Sequence, residues 1–381
     1  MSEPLAVFLS WKDSRHPAAG GAEVVHLEWS HRLIADGYRV IHLVPGFPGC
    51  EPRDNIDGIE IRRFGRNVLS FYAAARYYRH ELRDRTDLLV DTFNCFGSFA
   101  LTHGARGKSV FVIHHIQDRM WFYQRTFYGV PRALMPAVGL FGYLVEKMQL
   151  LLLARLYKGP AITVSRSTAD ELTRYGFKPQ RIHIAHNGCS SKPLASLADS
   201  LPKFERFTVL MIGPRQSKRP MHTLKAFEIF QRTHPDTALV VVGWGTEDDR
   251  LRAYAYRRGI RNVTVEGRIP EARKRELLQQ CHVLCTSPVK EGWGMVVNEA
   301  NAMGTPVIAY DVPGLRDALQ FENGLLCRPR PEAMADALAT VHEMWRQRPD
   351  AYELLRRKAL QSSRQWSFDR SYNEFRAAVE G

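Results

Sequence analysis

Cysteine is scarce. The 381 residues hold six, at positions 50, 95, 189, 281, 285 and 327, and their spacings form no framework. That excludes a disulfide-stapled scaffold and fits a reducing compartment. An unbroken apolar run is also missing. The most apolar stretch, residues 136–157, is interrupted by Glu146, Lys147, Gln149 and Arg155. Its longest uncharged part falls short of the ~20 residues that a membrane helix needs, so it reads as one or two buried or interfacial helices. The N-terminus lacks a basic leader pattern, and residues 5–10 read as a first strand instead of a secretory signal. No short-period repeat is present. Acidic charge is in deficit: 53 Lys and Arg face 40 Asp and Glu, for a net charge of +13. The excess is not packed into one tract. Residues 1–190 carry 24 cationic against 17 acidic residues, and the remainder 29 against 23. A dedicated nucleic-acid arm is thereby disfavoured. Anionic small substrates and an anionic membrane surface remain compatible.

What is present is strand–helix alternation, twice over. In the first half, strands are expected at 5–10, 39–44, 59–64, 87–91, 109–114 and 161–164. Helices are expected at 22–36, 69–83 and 167–175. Such alternation predicts a parallel sheet covered on both faces. The pattern fades between His186 and Lys203 and then restarts. Strands are expected at 208–212, 238–242, 263–266, 283–286 and 306–310, and helices at 222–234, 247–258, 271–281, 295–303 and 332–345. A charged helical tail follows from about 352 to 379, able to pack back on the rest. With 381 residues, two doubly wound α/β domains are expected, residues 1–188 and 189–363, with a final helix of about 364–381 returning to the first. Cys281-His282-x-x-Cys285 has zinc-like spacing but no second ligand pair nearby, and reads as core packing.

The most informative stretch is Glu291-Gly-Trp-Gly-Met-Val-Val-Asn-Glu299. It lies between a buried strand ending near Pro288 and a helix closed by Gly304 and Pro306. Two carboxylates therefore flank a helix N-terminus, whose unpaired N–H groups and partial positive charge suit a phosphate. A glutamate early in that helix can accept two hydrogen bonds from a sugar diol. The parts suggest a nucleotide-sugar site. They are equally what an ordinary first helical turn, with a glutamate favoured by the helix dipole, would contain.

An ordered series of motifs sharpens this. Val241-Val-Gly-Trp-Gly-Thr246, Val265-Glu-Gly-Arg268, the 287–300 segment, Met303-Gly-Thr-Pro-Val-Ile308, Pro313-Gly314 and Asn323-Gly-Leu-Leu326 resemble the family 4 retaining glycosyltransferases. Gly20-Gly-Ala-Glu23, His114, Ile162-Thr-Val-Ser165 and Asn187-Gly188 resemble the same family in the first half. The resemblance covers nearly the whole chain. It implies the GT-B architecture, two Rossmann-like domains facing one cleft, and a sugar transfer from a nucleoside-diphosphate sugar to an acceptor hydroxyl.

The resemblance also implies roles. Glu299 would hold ribose hydroxyls and Glu291 hydroxyls of the transferred sugar. Backbone N–H groups of Trp293, Gly294 and Met295 would meet the diphosphate, and the backbone at Arg268 and Ile269 the base. His114 would lie beside the donor sugar, with His115 as its substitute. Gly20 and Gly21 would let the backbone approach donor and acceptor. The diphosphate cations depart from the family's pattern. In Gly213-Pro-Arg-Gln-Ser-Lys-Arg-Pro220, Pro214 stands at the usual arginine, so Arg215 and Lys218 are assigned, with Arg219 as substitute. Cys189 and Ser190 replace the acidic residue expected after Asn-Gly.

No Asp-x-Asp motif stands at a strand end and no carboxylate is an obvious nucleophile. A metal-independent, same-face mechanism is therefore expected, with closure of the domains excluding water. No cofactor is expected; the substrate is a nucleotide sugar, UDP- or GDP-linked. The acceptor is a glycan, lipid-linked or small molecule, and nucleic acid is not a partner. The expected location is the cytoplasm, with the cytoplasmic face of a membrane as the alternative. Arg76-Tyr-Tyr-Arg-His80, residues 119–125 and 136–157 mix cations with aromatic and apolar residues and suit peripheral membrane contact. Two other functions stay open: an epimerase of the same architecture, and a non-catalytic basic polyanion-binding protein. A nicotinamide dehydrogenase is disfavoured, because Gly243-x-Gly245 lacks a third glycine.

Overall fold

The computed structural model describes residues 3–66, 69–93, 97, 104–123, 132–243, 245 and 247–381. Cys95, Gln124, Arg125, Trp244 and Thr246 lie outside the described residues. The chain divides into two compact units, residues 1–188 with 368–381, and residues 189–367.

Unit 1 runs β1 (Leu5–Leu9), α1 (Gly21–Ala35), β2 (Arg39–Pro45), β3 (Arg53–Ile56), β4 (Ile59–Phe64), α2 (Leu69–Tyr77), β5 (Leu88–Phe93), β6 (Lys108–Ile113), α3 (Met135–Leu156), β7 (Ala161–Thr163), α4 (Arg166–Arg174) and β8 (Ile182–Ile184). The sheet order is β3-β4-β2-β1-β5-β6-β7-β8. Its central strands β1, β5 and β6 are mostly apolar and mostly buried, as a parallel sheet covered by helices requires, with Asp91 and Thr92 of β5 as buried polar exceptions. Among the described residues only β3 and β4 pair antiparallel, through a hairpin at Asp57-Gly58, where both residues take positive φ. Helix α2 ends earlier than the expected 83. A π-turn, Tyr78–Leu82, continues it, and the Tyr78 hydroxyl donates to the Gly104 carbonyl at 2.7 Å.

Unit 2 runs β9 (Phe207–Ile212), α5 (Pro220–Gln231), β10 (Thr237–Val242), α6 (Asp248–Arg258), β11 (Val263–Gly267), α7 (Glu271–Gln280), β12 (Val283–Thr286), α8 (Met295–Ala302), β13 (Val307–Tyr310), α9 (Leu315–Ala318), β14 (Gly324–Cys327), α10 (Pro331–Gln347) and α11 (Pro349–Ser363). All pairs are parallel, in the order β11-β10-β9-β12-β13-β14. Cys281, His282 and Cys285 are buried here, and His282 Nδ1 accepts the Thr208 amide at 3.0 Å. The final helix, α12 (Phe368–Glu380), belongs to unit 1. There Phe375 stacks on Trp29 at 4.4 Å and the indole N–H donates to Ser371 Oγ at 3.0 Å.

Two expectations change. Strands β3, β8 and β14 were not expected: each has three or four residues and is partly exposed, so it lacks the fully buried run of the equally short β7, β12 and β13. The apolar stretch 136–157 is one helix, α3, and it is not buried. Of its most apolar window, 22% is buried, and it is long and apolar enough to cross a membrane by length and composition.

One buried ion pair fixes the segment leading into α1. Arg63 on β4 donates to Asp13 Oδ2 at 2.7 Å, both side chains being almost fully buried. Asp13 also accepts the Arg15 amide at 2.8 Å. Removing Asp13 leaves the Arg63 guanidinium buried with Asp54, at 3.1 Å, as its remaining carboxylate, which offsets only part of the loss. Asp13→Ala is expected to destabilise unit 1 by about 3 kcal/mol in urea denaturation of the full chain; a loss below about 1 kcal/mol contradicts this.

Candidate active site

In unit 2 the candidate residues sit on loops leaving the carboxyl ends of the strands, where open parallel sheets bind ligands. The β9–α5 loop starts at Gly213, whose φ is +75°. The β10 loop packs beneath it. A Cβ on Gly245 would lie 2.2 Å from the Pro214 carbonyl oxygen. Gly243-x-Gly245 is therefore a packing element under the cationic loop and no dinucleotide fingerprint. The same loop is stitched to the end of β12. The Val289 amide donates to the Ser217 carbonyl at 2.9 Å, and Ser287 Oγ donates to the Arg219 carbonyl at 3.0 Å. Arg219 holds a left-handed backbone (φ +47°) and aims its guanidinium at the carbonyls of Ser287, at 3.0 Å, and Pro288. It also lies over the Tyr310 ring. Arg219, the substitute phosphate cation, is thus a clamp between two loops.

That stitching places the Lys218 ammonium on the Glu291 carboxylate. Burial and the Arg215 charge push Lys218 down to about 7, against the pull of Glu299. The Glu291 carboxylate in contact pulls the same way as Glu299. Arg215 itself is exposed at the loop's tip. After Glu291 the chain turns through Gly292 and buried Trp293, which meets Trp366 edge-on at 4.7 Å. Gly294 (φ +91°) opens α8 at Met295. Pro313-Gly314 serves this turn, because a Cβ on Gly314 would stand 2.5 Å from the Glu291 carbonyl oxygen.

Glu299, in the second turn of α8, is buried. Its two oxygens accept from Ser190 Oγ at 2.9 Å and from Lys274 Nζ at 3.0 Å. Burial alone would lower the Lys274 pKa, but Glu299 and Glu271 outweigh it and raise it. Arg268, exposed, and Ile269, half-buried, follow β11 at the sheet's edge. Unit 2 thus joins Lys218 to Glu291 and Lys274 to Glu299. Lys274 was not foreseen: its Glu271 spacing fits a helix face, but nothing in the sequence directs it to Glu299. Ser190, which stands where an acid was expected, is a donor to that carboxylate.

In unit 1, Gly20 is the extended residue before α1, and its N–H donates to Glu23 Oε2 at 2.6 Å. Gly21 is the first helical residue. His114 follows β6, with His115 beside it only half-buried. His114 Nε2 lies 3.0 Å from Nε2 of His26, one turn into α1. Burial holds both imidazoles far below their usual pKa, His26 at about 3. The pair is neutral, so one Nε2 carries the proton and the other accepts it. His42, bonded to Ser30 at 2.8 Å, is also held at about 3 by burial. Among the described residues no group of three or more His, Cys, Asp or Glu could hold a metal ion.

Two parallel α/β units, with carboxylate–lysine pairs at strand carboxyl ends in the second, define a GT-B two-domain protein. Residues 19–191 match the family described as Glycosyltransferase Family 4, and residues 197–358 match Glycosyl transferases group 1; the chain belongs to the family 4 glycosyltransferases. It is 29% identical over 187 residues to a glycogen synthase of Mycobacterium tuberculosis, 47% of this chain and 44% of that protein. It is 26% identical over 318 residues to an uncharacterised glycosyltransferase of Haemophilus influenzae, 81% and 83% of the two chains. It is 32% identical over 171 residues to a D-inositol 3-phosphate glycosyltransferase of Acidothermus cellulolyticus, 40% of this chain and 38% of that one. The chain thus matches less than half the length of two of these three relatives. Among solved structures, sucrose-phosphate synthase of Thermosynechococcus elongatus superposes with a TM-score of 0.76 at 19% identity, covering 98% of each chain. Anabaena HepE in complex with UDP-glucose gives 0.70 at 16%, covering 99% of each.

The histidine cluster makes stability depend on pH. His26, His42 and His114 are neutral when folded and take up protons on unfolding below about 6.5. Stability therefore falls as pH drops from about 6.5 towards 3, by up to about 1.4 kcal/mol per pH unit for each histidine. Urea denaturation at pH 7, 6 and 5 checks this; His114→Gln should reduce the slope by close to one proton, and an unchanged slope contradicts it.

Proposed function

We propose that the chain is a retaining, metal-independent glycosyltransferase that moves a hexosyl group from a nucleoside-diphosphate sugar to an acceptor hydroxyl. The observation that carries this reading is the pair of lysine–glutamate contacts at the β9, β12 and α8 loops. Family membership supports the class. The UDP-glucose bound by HepE favours a UDP-linked donor.

On this reading the nucleotide ribose hydroxyls donate to Glu299, which Lys274 and Ser190 already hold in place. The diphosphate lies at the N-terminus of α8, against the N–H groups of Gly294 and Met295, with Arg215 and Lys218 as its cations. Lys218 leaves Glu291 for phosphate, and Glu291 turns to the sugar hydroxyls. The C1–oxygen bond to phosphate breaks as the diphosphate takes the electron pair. The acceptor oxygen attacks C1 on the same face, and its proton passes to the departing phosphate oxygen. Each well-placed contact to that developing charge is worth on the order of 3 kcal/mol. His114, neutral and paired with His26, positions and does not exchange protons near neutral pH. No cofactor takes part.

Purified chain is incubated with UDP- and GDP-sugars and glycan, lipid-linked or small-molecule acceptors, and the product anomer is read by proton NMR. Retention is expected, with Glu299→Ala and Arg215→Ala each lowering kcat/KM by about 100-fold. An inverted product, or an isomerised nucleotide sugar formed without acceptor, overturns the reading.

Lys218 adds a pH signature. With its free-state pKa near 7, a bound diphosphate must recharge it above that pH, so binding takes up a proton. UDP affinity should therefore weaken between pH 7 and 9, by up to about tenfold per unit. Titration calorimetry should show the slope vanish in Lys218→Met; a slope that persists contradicts it.

A further inference from the structure

Helix α3 is built inside out. Met135, Gly139, Gly142, Glu146 and Leu150 face into unit 1. The two glycines let it press against the segment at Trp121: a Cβ on Gly142 would lie 2.4 Å from the indole ring. The one acidic residue of the helix, Glu146, is fully buried and accepts from the Gln117 amide at 2.8 Å, the Asp118 amide at 2.8 Å and Trp121 Nε1 at 3.1 Å. The outward face carries Leu140, Phe141, Leu144, Met148, Leu151 and Leu152, each 42% to 67% exposed. A water-facing helix normally has the reverse pattern, and an exposed apolar face of this extent marks an interaction site.

We propose that this face binds the surface of an anionic lipid bilayer, with α3 lying in the plane of the interface. The orientation follows from Glu146. Its three hydrogen bonds, and the packing of Gly139 and Gly142 on Trp121, tie the helix to unit 1. A spanning geometry would tear that carboxylate from its donors in hydrocarbon. Lying flat, the 22 residues present about 33 Å of apolar stripe. The charge at its margins matches an anionic surface. Arg119, Lys147, Arg155 and Lys158 are at the surface around the stripe, and exposed Phe122 and Tyr123 adjoin it. Lys147 Nζ sits 4.5 Å from the centre of the Tyr143 ring. No acidic side chain of the helix points outward, and the whole chain carries +13. A second copy fits less well, because isologous pairing would set two basic margins against each other. The surface also has a structural link to the candidate site residues of unit 1: the segment Glu146 holds, 117–121, is joined to His114 and His115 through Ile116 alone.

The test is co-sedimentation of the full chain with vesicles of phosphatidylcholine alone and of phosphatidylcholine with phosphatidylglycerol. It needs no donor, so its outcome is independent of the sugar-transfer reading. Wild type should bind the anionic vesicles at least tenfold more tightly at low salt, since each interfacial cation is worth about a fivefold gain. Phe141→Ser combined with Leu144→Ser should weaken that binding at least tenfold, while the thermal midpoint and UDP affinity stay at wild-type values. Arg155→Glu with Lys158→Glu should erase the preference for anionic lipid. Absence of wild-type co-sedimentation at low salt overturns the proposal. So does unchanged binding by the serine variant, or a dimer in analytical ultracentrifugation that this variant dissolves while no vesicle binding is found.

Discussion

A buried charge must be paired, and in unit 2 that requirement organises the candidate site. Glu291 and Glu299 leave a strand–loop–helix junction and enter partly dry surroundings. Each is met by a lysine from a different element, Lys218 in the loop after β9 and Lys274 on α7. The Lys218–Glu291 pair rests on the packing around it. Arg219 and Ser287 bind the β9 and β12 loops together, and Gly314 admits the Glu291 backbone where any side chain would collide. The two pairs differ in what they permit. Glu299 is held at both oxygens and Lys274 is driven towards its charged form, which suits a fixed acceptor of hydroxyl groups. Lys218 is pushed towards neutrality, so its hold on Glu291 can be exchanged for a stronger anion.

Unit 1 meets burial in two ways, by neutral histidines and by a charge pair. His26, His42 and His114 shed their charge and bond as neutral rings, and the ion pair of Asp13 with Arg63 fixes the chain that enters α1. The neutral cluster is costly to protonate, so it resists change near neutral pH and serves geometry. The same unit breaks the usual rule at α3, where apolar side chains face out and the acid faces in.

Much of this was legible in the sequence. Apolar strands five or six residues long, such as β1, β6 and β9, stood out because a parallel sheet buries both their faces. The Glu291–Glu299 junction was readable because a glycine-bracketed tryptophan, a strand and a capped helix fall in order. Strands β3, β8 and β14 were not readable, being both short and partly exposed, whereas the equally short β7, β12 and β13 are buried throughout. Lys274 and His26 were invisible for another reason: their roles come from contacts between residues 25 and 88 positions apart, which no local pattern encodes. Arg219 shows the converse. As a basic residue beside Lys218 it reads as a phosphate ligand, yet a left-handed backbone turns it onto two carbonyls. The exposed side of α3 was hidden because composition reports how apolar a helix is and not which way it faces.

The central claim is that Lys218 exchanges Glu291 for a donor diphosphate while Glu299 stays fixed. A crystal structure of the chain with UDP tests it most directly. The account predicts the Lys218 ammonium within hydrogen-bond distance of a phosphate oxygen and parted from Glu291, and Glu299 still bonded to Lys274 while accepting the ribose hydroxyls. UDP bound elsewhere with the Lys218–Glu291 pair intact would contradict it.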